Sequence, residues 1–124
     1  MAASTPNTRT VETYLNGFRT LDRAMILSCL TDDVEWVIPG VFETRGKAGF
    51  AEHIVETGFA ATPPLITETR TVEAGDVVVV EGRVRAPRAD GGFIDLVFCD
   101  VFDMRDAKIR RLVSYLVVLK PQDA

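Results

Sequence analysis

The stretch FIDLVFCDVFDM, Phe93–Met104, decides the fold. Side chains alternate across a β-strand, so residues two apart share a face. One face of this run reads Ile94, Leu96, Phe98, Asp100, Phe102 and Met104; the other reads Asp95, Val97, Cys99, Val101 and Asp103. The first row is apolar except at Asp100, as expected of a strand with one face in a core. Working outward, Leu65–Glu73, Val77–Ala86 and Ile109–Leu119 share the β pattern. The turns between these runs are Gly75-Asp76, Ala89-Asp90-Gly91-Gly92 and Arg105-Asp106-Ala107, short enough to join antiparallel neighbours.

Upstream of Leu65 the period is different. Thr5-Pro6 opens a helix whose stripe is Val11, Tyr14, Leu15 and Phe18, weakened but not ended by Gly17. Asp22 is a fitting N-cap for a short second helix carrying Met25, Ile26, Cys29 and Leu30, which Thr31-Asp32-Asp33 should break. Val34–Ile38 reads as a short strand closed by Pro39-Gly40, and Gly46–Phe59 as a third helix with Phe50, His53 and Ile54 on one side. Helices first, then a meander of long strands, is an α+β architecture: helices on one face of a curved antiparallel sheet.

At 124 residues the expectation is a single domain, residues 1–124, with a real core and no room for a separate cofactor domain. Hydrophobic residues at 47% and charged residues at 26% exclude disorder. A net charge of -4 and the lack of a basic run argue against a nucleic-acid or anionic-lipid partner. No stretch approaches the roughly 20 apolar residues of a membrane helix, and Met1–Thr10 lacks an apolar signal core, so a cytoplasmic location is expected. Cys29 and Cys99 sit among apolar neighbours and read as two buried free thiols.

Asp100 is the residue that breaks the pattern. A carboxylate among apolar neighbours loses hydration, which raises its pKa and suits it to donate a hydrogen bond or move a proton near neutral pH. The alternative is a structural Asp held by a backbone amide or an Arg. Tyr14, on the buried side of the first helix, is either a core aromatic or a hydroxyl donor to a ligand. His53, the only histidine, reads as a structural residue or as a proton-transfer group, but not as part of a metal site. Trp36 reads as core or pocket wall, and Ser114, in the row Leu112, Ser114, Leu116, as a hydrogen-bonding element of a pocket. Arg83 and Arg85 share a face with Glu81, a solvated charged face. Phosphate loops, dinucleotide fingerprints, nucleophile elbows and zinc-hydrolase motifs are all missing, so no cofactor and no metal are expected.

Two longer passages carry a resemblance. VETYLNGFRTLDRAMILSCLTDDVEWVIPG (11–40) with RGKAGFAEHI (45–54) resembles the opening of SnoaL-like and ketosteroid-isomerase-like proteins of the NTF2-like superfamily, and CDVFDMRDAKIRRLVSYLVVL (99–119) resembles their ending. The resemblance implies a cone-shaped fold, a curved sheet wrapped on helices around a deep apolar pocket, usually as a homodimer. It implies that Tyr14 matches the tyrosine that hydrogen-bonds a substrate oxyanion, and Asp100 the protonated acid beside it. The isomerases' proton-abstracting aspartate falls at Ile38, which cannot take a proton. The Asp–Arg–Asp set of limonene-epoxide-hydrolase-like members falls at Arg83, Glu81 and Ser114, so that set is missing too. His53 falls at a pocket-lining aromatic, as a candidate substitute base.

The expected function is therefore a cofactor-independent enzyme acting on a small apolar carbonyl compound, polyketide- or steroid-like. It would work by acid/base chemistry through an enolate: cyclisation, isomerisation or dehydration. Asp100, Tyr14 and His53 would act, in a pocket of Phe18, Trp36, Ile38, Phe50, Ile54, Phe98, Phe102, Leu112, Ser114 and Leu116. The alternative is a non-catalytic binding or interaction domain, which Ile38 favours.

Overall fold

The computed structural model describes residues 4–54, 63–88 and 91–119. Helix α1 (Pro6–Arg19) starts in a capping box. Thr5 Oγ1 accepts from the Thr8 amide at 3.1 Å, the Thr5 amide donates to Thr8 Oγ1 at 2.8 Å, and Pro6 takes the first turn, where its missing N–H costs nothing. Its buried face is Val11, Tyr14, Leu15, Gly17 and Phe18. Gly17 has a packing reason: a Cβ there would lie 2.6 Å from Ile26 Cγ1, so its absence lets α2 (Arg23–Ser28) close on α1. Asp22 caps α2 as expected, its Oδ1 accepting from the Met25 amide at 3.0 Å.

Two expectations for the next stretch need correction. The second helix does end before Thr31-Asp32-Asp33, at Ser28, but Leu30 is not helical and the strand expected from Val34 starts earlier: strand β1 runs Leu30–Ile38. Its first residues are held from outside. Leu30 pairs with Ile109, the register shifts between Leu30 and Glu35, and Asp33 receives Arg105 Nη2 at 2.6 Å. Local propensity gave no strand over Thr31-Asp32-Asp33, and a long-range pairing draws the triplet into β1. The second correction is a strand not foreseen, β2 (Phe42–Arg45), which folds back on β1 through Pro39-Gly40-Val41 with Gly40 at φ +80°. Helix α3 (Gly46–Ile54) follows, and the expected continuation to Phe59 lies outside the described residues.

Strands β3 (Leu65–Ala74), β4 (Val77–Pro87), β5 (Phe93–Arg105) and β6 (Lys108–Val118) form the expected antiparallel meander. The six-stranded sheet has the order β2-β1-β6-β5-β4-β3, with β1 parallel to β6 and both edges open. Three helices packed on a curved, unclosed, mostly antiparallel sheet make the α+β fold that was expected. The core lies between helices and sheet, where Phe50, Phe102, Ile26, Ile109 and Leu112 are fully buried. No helix among the described residues is long and apolar enough to cross a membrane.

The β5–β6 turn uses two left-handed non-glycine residues, Asp106 at φ 52° and Ala107 at φ 57°. Such a two-residue turn suits the twist of the hairpin, and Thr10 Oγ1 donates to Ala107 O at 2.6 Å, pinning it to α1. Cys29 is buried, whereas Cys99 is only half-buried, and both are free thiols. Cys99 differs from expectation because its row of β5 faces away from the helices.

Candidate active site

Alternation on β5 places Asp100 on the helix-facing side, between Val80 of β4 and Ser114 of β6. That side is buried along Leu96, Phe98, Asp100, Phe102 and Met104, with Asp100 only 7% exposed. Tyr14 reaches the same interior from α1, its ring edge-on to Phe18 at 5.2 Å, Phe102 at 5.5 Å and Phe50 at 6.2 Å. Trp36 enters from β1, stacked on Phe50 at 4.1 Å, and its indole Nε1 donates to Ser114 Oγ at 3.4 Å.

These groups meet around a cavity of about 80 Å³ lined by Tyr14, Leu15, Phe18, Trp36, Ile38, Ile66, Val84, Phe98, Asp100, Ser114 and Leu116. Leu116, 41% exposed, forms its rim; the other described lining residues are buried. The Phe98 ring lies over Gly82, where a Cβ would stand 2.7 Å from it, so that glycine helps seat one wall. Eight of the residues singled out in the sequence line the cavity: Tyr14, Phe18, Trp36, Ile38, Phe98, Asp100, Ser114 and Leu116. Phe50, Ile54, Phe102 and Leu112 lie in the core behind it. His53 stands apart from the cavity, its ring 4.2 Å from Phe42 and its Nδ1 bonded to the Gly49 carbonyl at 2.9 Å. Leu15, Ile66 and Val84 were missed. Val84 carries a signal in the alternation of β4, whereas nothing local marks Ile66 as facing α1.

The electrostatics follow from the dry surroundings. Burial lifts the Asp100 carboxyl from 3.8 to about 7, with the Ser114 hydroxyl offsetting part of that rise. Burial, then the negative charge of Asp100, then Cys29 push the Tyr14 phenol well above its usual range, so it stays a neutral donor. Near neutral pH the cavity thus holds a carboxyl that is present in both protonation states beside a phenol that keeps its proton. Among its described lining residues there is no cation and no second carboxyl. Arg83 is exposed on the opposite face of the sheet, and Glu81 there pairs with Arg70 at 2.6 Å, so neither supplies an epoxide-hydrolase-like set to the cavity. No group of three His, Cys, Asp or Glu among the described residues could hold a metal ion.

The family model of the SnoaL-like domain matches residues 11–112. The chain belongs to the SnoaL-like family. No curated protein matches it in sequence. Among solved structures, TerC co-crystallised with polyporic acid is 31% identical, with 89% of this chain and 90% of that chain covered and a TM-score of 0.78. An LEH-like epoxide hydrolase from M. tuberculosis is 22% identical over 92% of this chain and 84% of that one, with a TM-score of 0.79. An NTF2-like protein of unknown function from Burkholderia pseudomallei is 20% identical over 92% of both chains, with a TM-score of 0.82. The last two likenesses show the fold alone. They place this SnoaL-like chain in the NTF2-like fold.

Proposed function

We propose that this SnoaL-like chain is a cofactor-independent enzyme acting on a small apolar carbonyl compound through an enolate. Asp100 moves the proton, and Tyr14 donates a hydrogen bond to the oxygen on which negative charge develops. The observation that carries the reading is a carboxyl 7% exposed, in an apolar cavity that it shares with a buried phenol. A carboxyl titrating near 7 can both remove a proton from carbon and return it at neutral pH. A donor fixed at a developing oxyanion stabilises it without reorganisation, an effect on the order of 3 kcal/mol per donor. His53 takes no part in this reading, since it stands apart from the cavity.

The cavity limits what can bind. At about 80 Å³ it is smaller than the roughly 300–1,000 Å³ of sites that enclose drug-sized ligands. The carbonyl end of a ring enters it, and the rest of the substrate passes the Leu116 rim. The likeness to TerC, crystallised with polyporic acid, supports an aromatic, enolised carbonyl compound as substrate class. The free thiols of Cys29 and Cys99 fit a reducing, cytoplasmic setting.

The test pairs binding with turnover. Cyclic enones and polyporic acid are titrated into the wild-type chain and the Tyr14→Phe and Asp100→Asn variants, and product formation is followed. Turnover should fall about 100- to 1,000-fold in Tyr14→Phe and more in Asp100→Asn. Full turnover in Asp100→Asn would overturn the reading. Ile38 favours a second reading, a ligand-binding domain without turnover, because the position lines the cavity yet holds no base. Tight binding with no product from any compound would speak for that reading.

A second copy of the chain is the proposed partner. The outward row Val97, Cys99 and Val101 is joined by Tyr115 and Val117, 51% and 59% exposed. An apolar row facing water calls for a cover. Glu81, Arg83, Asp103 and Arg111 place both signs around it, so a two-fold contact can set opposite charges together.

A further inference from the structure

We infer that Trp36, Ser114 and Asp100 form a directed hydrogen-bond relay, in which Ser114 is a positioning residue that fixes which oxygen of the Asp100 carboxyl carries the proton. The inference rests on the reading of Asp100 as the proton-moving group and says how one carboxyl can do that work alone.

Direction comes from the chemistry of the first member. An indole N–H can only donate. Trp36 Nε1 lies 3.4 Å from Ser114 Oγ in a buried contact spanning 78 residues of sequence. Ser114 therefore accepts from Trp36 and has a single proton left to give. Its direct cross-strand partner on the same inward face is Asp100. Side chains so paired have Cβ atoms about 4.5–5.5 Å apart, close enough for a hydroxyl to reach a carboxyl. The other inward side chains along the two strands, those of Phe98, Phe102, Leu112 and Leu116, offer no acceptor.

Two consequences follow for Asp100. In this relay the oxygen that accepts from Ser114 is the one without a proton, so the acidic proton sits on the other oxygen. A donor also favours the ionised carboxyl over the neutral one, and so opposes burial. Among the described residues, the groups that face Asp100 are few. Tyr14 comes from α1, Val80 from β4 and Ser114 from β6, and no cation among the described residues contributes to its titration. With Ile38 in the cavity and no second carboxyl among its described lining residues, Asp100 must be available in both forms and keep one orientation. The relay supplies both.

Trp36 is the only tryptophan, so its indole N–H gives one resolved resonance in the intact chain. That resonance and a carbon-13-labelled Asp100 carboxyl are titrated together, with no ligand present. The indole should shift with the Asp100 midpoint in the wild-type chain and not in Asp100→Asn. Ser114→Ala should raise the Asp100 midpoint by about one pH unit and silence the indole response, while Ser114→Thr, which keeps the hydroxyl, restores both. An indole that ignores Asp100 in the wild-type chain, or a midpoint unmoved in Ser114→Ala, would overturn the relay. The wild-type comparison with Asp100→Asn decides even if Ser114→Ala folds poorly. A relay that fails while Asp100 titrates near 7 leaves the proposed function standing. An Asp100 midpoint near that of an ordinary aspartate removes the proposed function, and the indole response then still reads the relay.

Discussion

Replacing Asp100 by Asn keeps the side chain's shape and abolishes its titration, which turns the buried carboxyl into a measurable stability effect. In the folded chain burial lifts this group from 3.8 to about 7, while in the unfolded chain it titrates near 4, as a model aspartate does. The folded state thus holds its proton more tightly. The stability this confers is fully present below the unfolded value and is lost as pH rises through the folded one. The difference of about three units corresponds to about 4 kcal/mol as an upper figure, of which roughly 2–3 kcal/mol is lost between pH 5 and pH 8. Asn carries no such dependence. Urea unfolding of both proteins at pH 5 and pH 8 isolates the effect, because every other carboxyl titrates alike in the two chains. The stability of Asp100→Asn relative to wild type should increase by about 2–3 kcal/mol on going from pH 5 to pH 8. A difference that stays constant with pH, or that moves in favour of wild type as pH rises, would refute the placement of this carboxyl in a dry site.

Two further outcomes test other parts of the structure. Ala107 adopts φ 57°, a left-handed conformation that costs a side-chain-bearing residue about 1–2 kcal/mol. Ala107→Gly should therefore stabilise the chain by roughly 1 kcal/mol in thermal or chemical unfolding, after the greater freedom of glycine in the unfolded state is deducted, and a loss of stability would contradict that turn. Val117→Asp places a charge in the outward apolar row, and sedimentation should show it shifting a dimer toward monomer with the melting of the monomer little changed; an unaltered mass would count against a second copy on that face.

Much of the fold was legible because it is written in local periodicity. The row Ile94, Leu96, Phe98, Asp100, Phe102, Met104 states which face of β5 is buried, and the stripe Val11, Tyr14, Leu15, Phe18 does the same for α1. The caps Thr5 and Asp22 mark helix starts through chemistry with the next three residues. The same alternation that buries Asp100 turns Cys99 outward, so its apolar neighbours along the chain do not bury it. The strand character of Thr31-Asp32-Asp33 was not legible, because it depends on Ile109, on Arg105 and on a register shift. Neither was β2, whose four residues carry no strong alternation of their own.

The sequence by itself determined that helices precede a β meander, that one carboxyl sits in an apolar row, and that a phenol lies on the buried side of the first helix. Those are properties of neighbours along the chain, set by side-chain direction and hydration. Only the tertiary structure decided that β1 lies parallel beside β6, which brings the Trp36 indole to Ser114 and both to the wall that holds Asp100. It also decided that Leu15, Ile66 and Val84 join the cavity while His53 packs on Phe42. Cavity membership depends on strand register and helix docking between segments dozens of residues apart. Loop closure and packing fix those distances, and no local pattern encodes them.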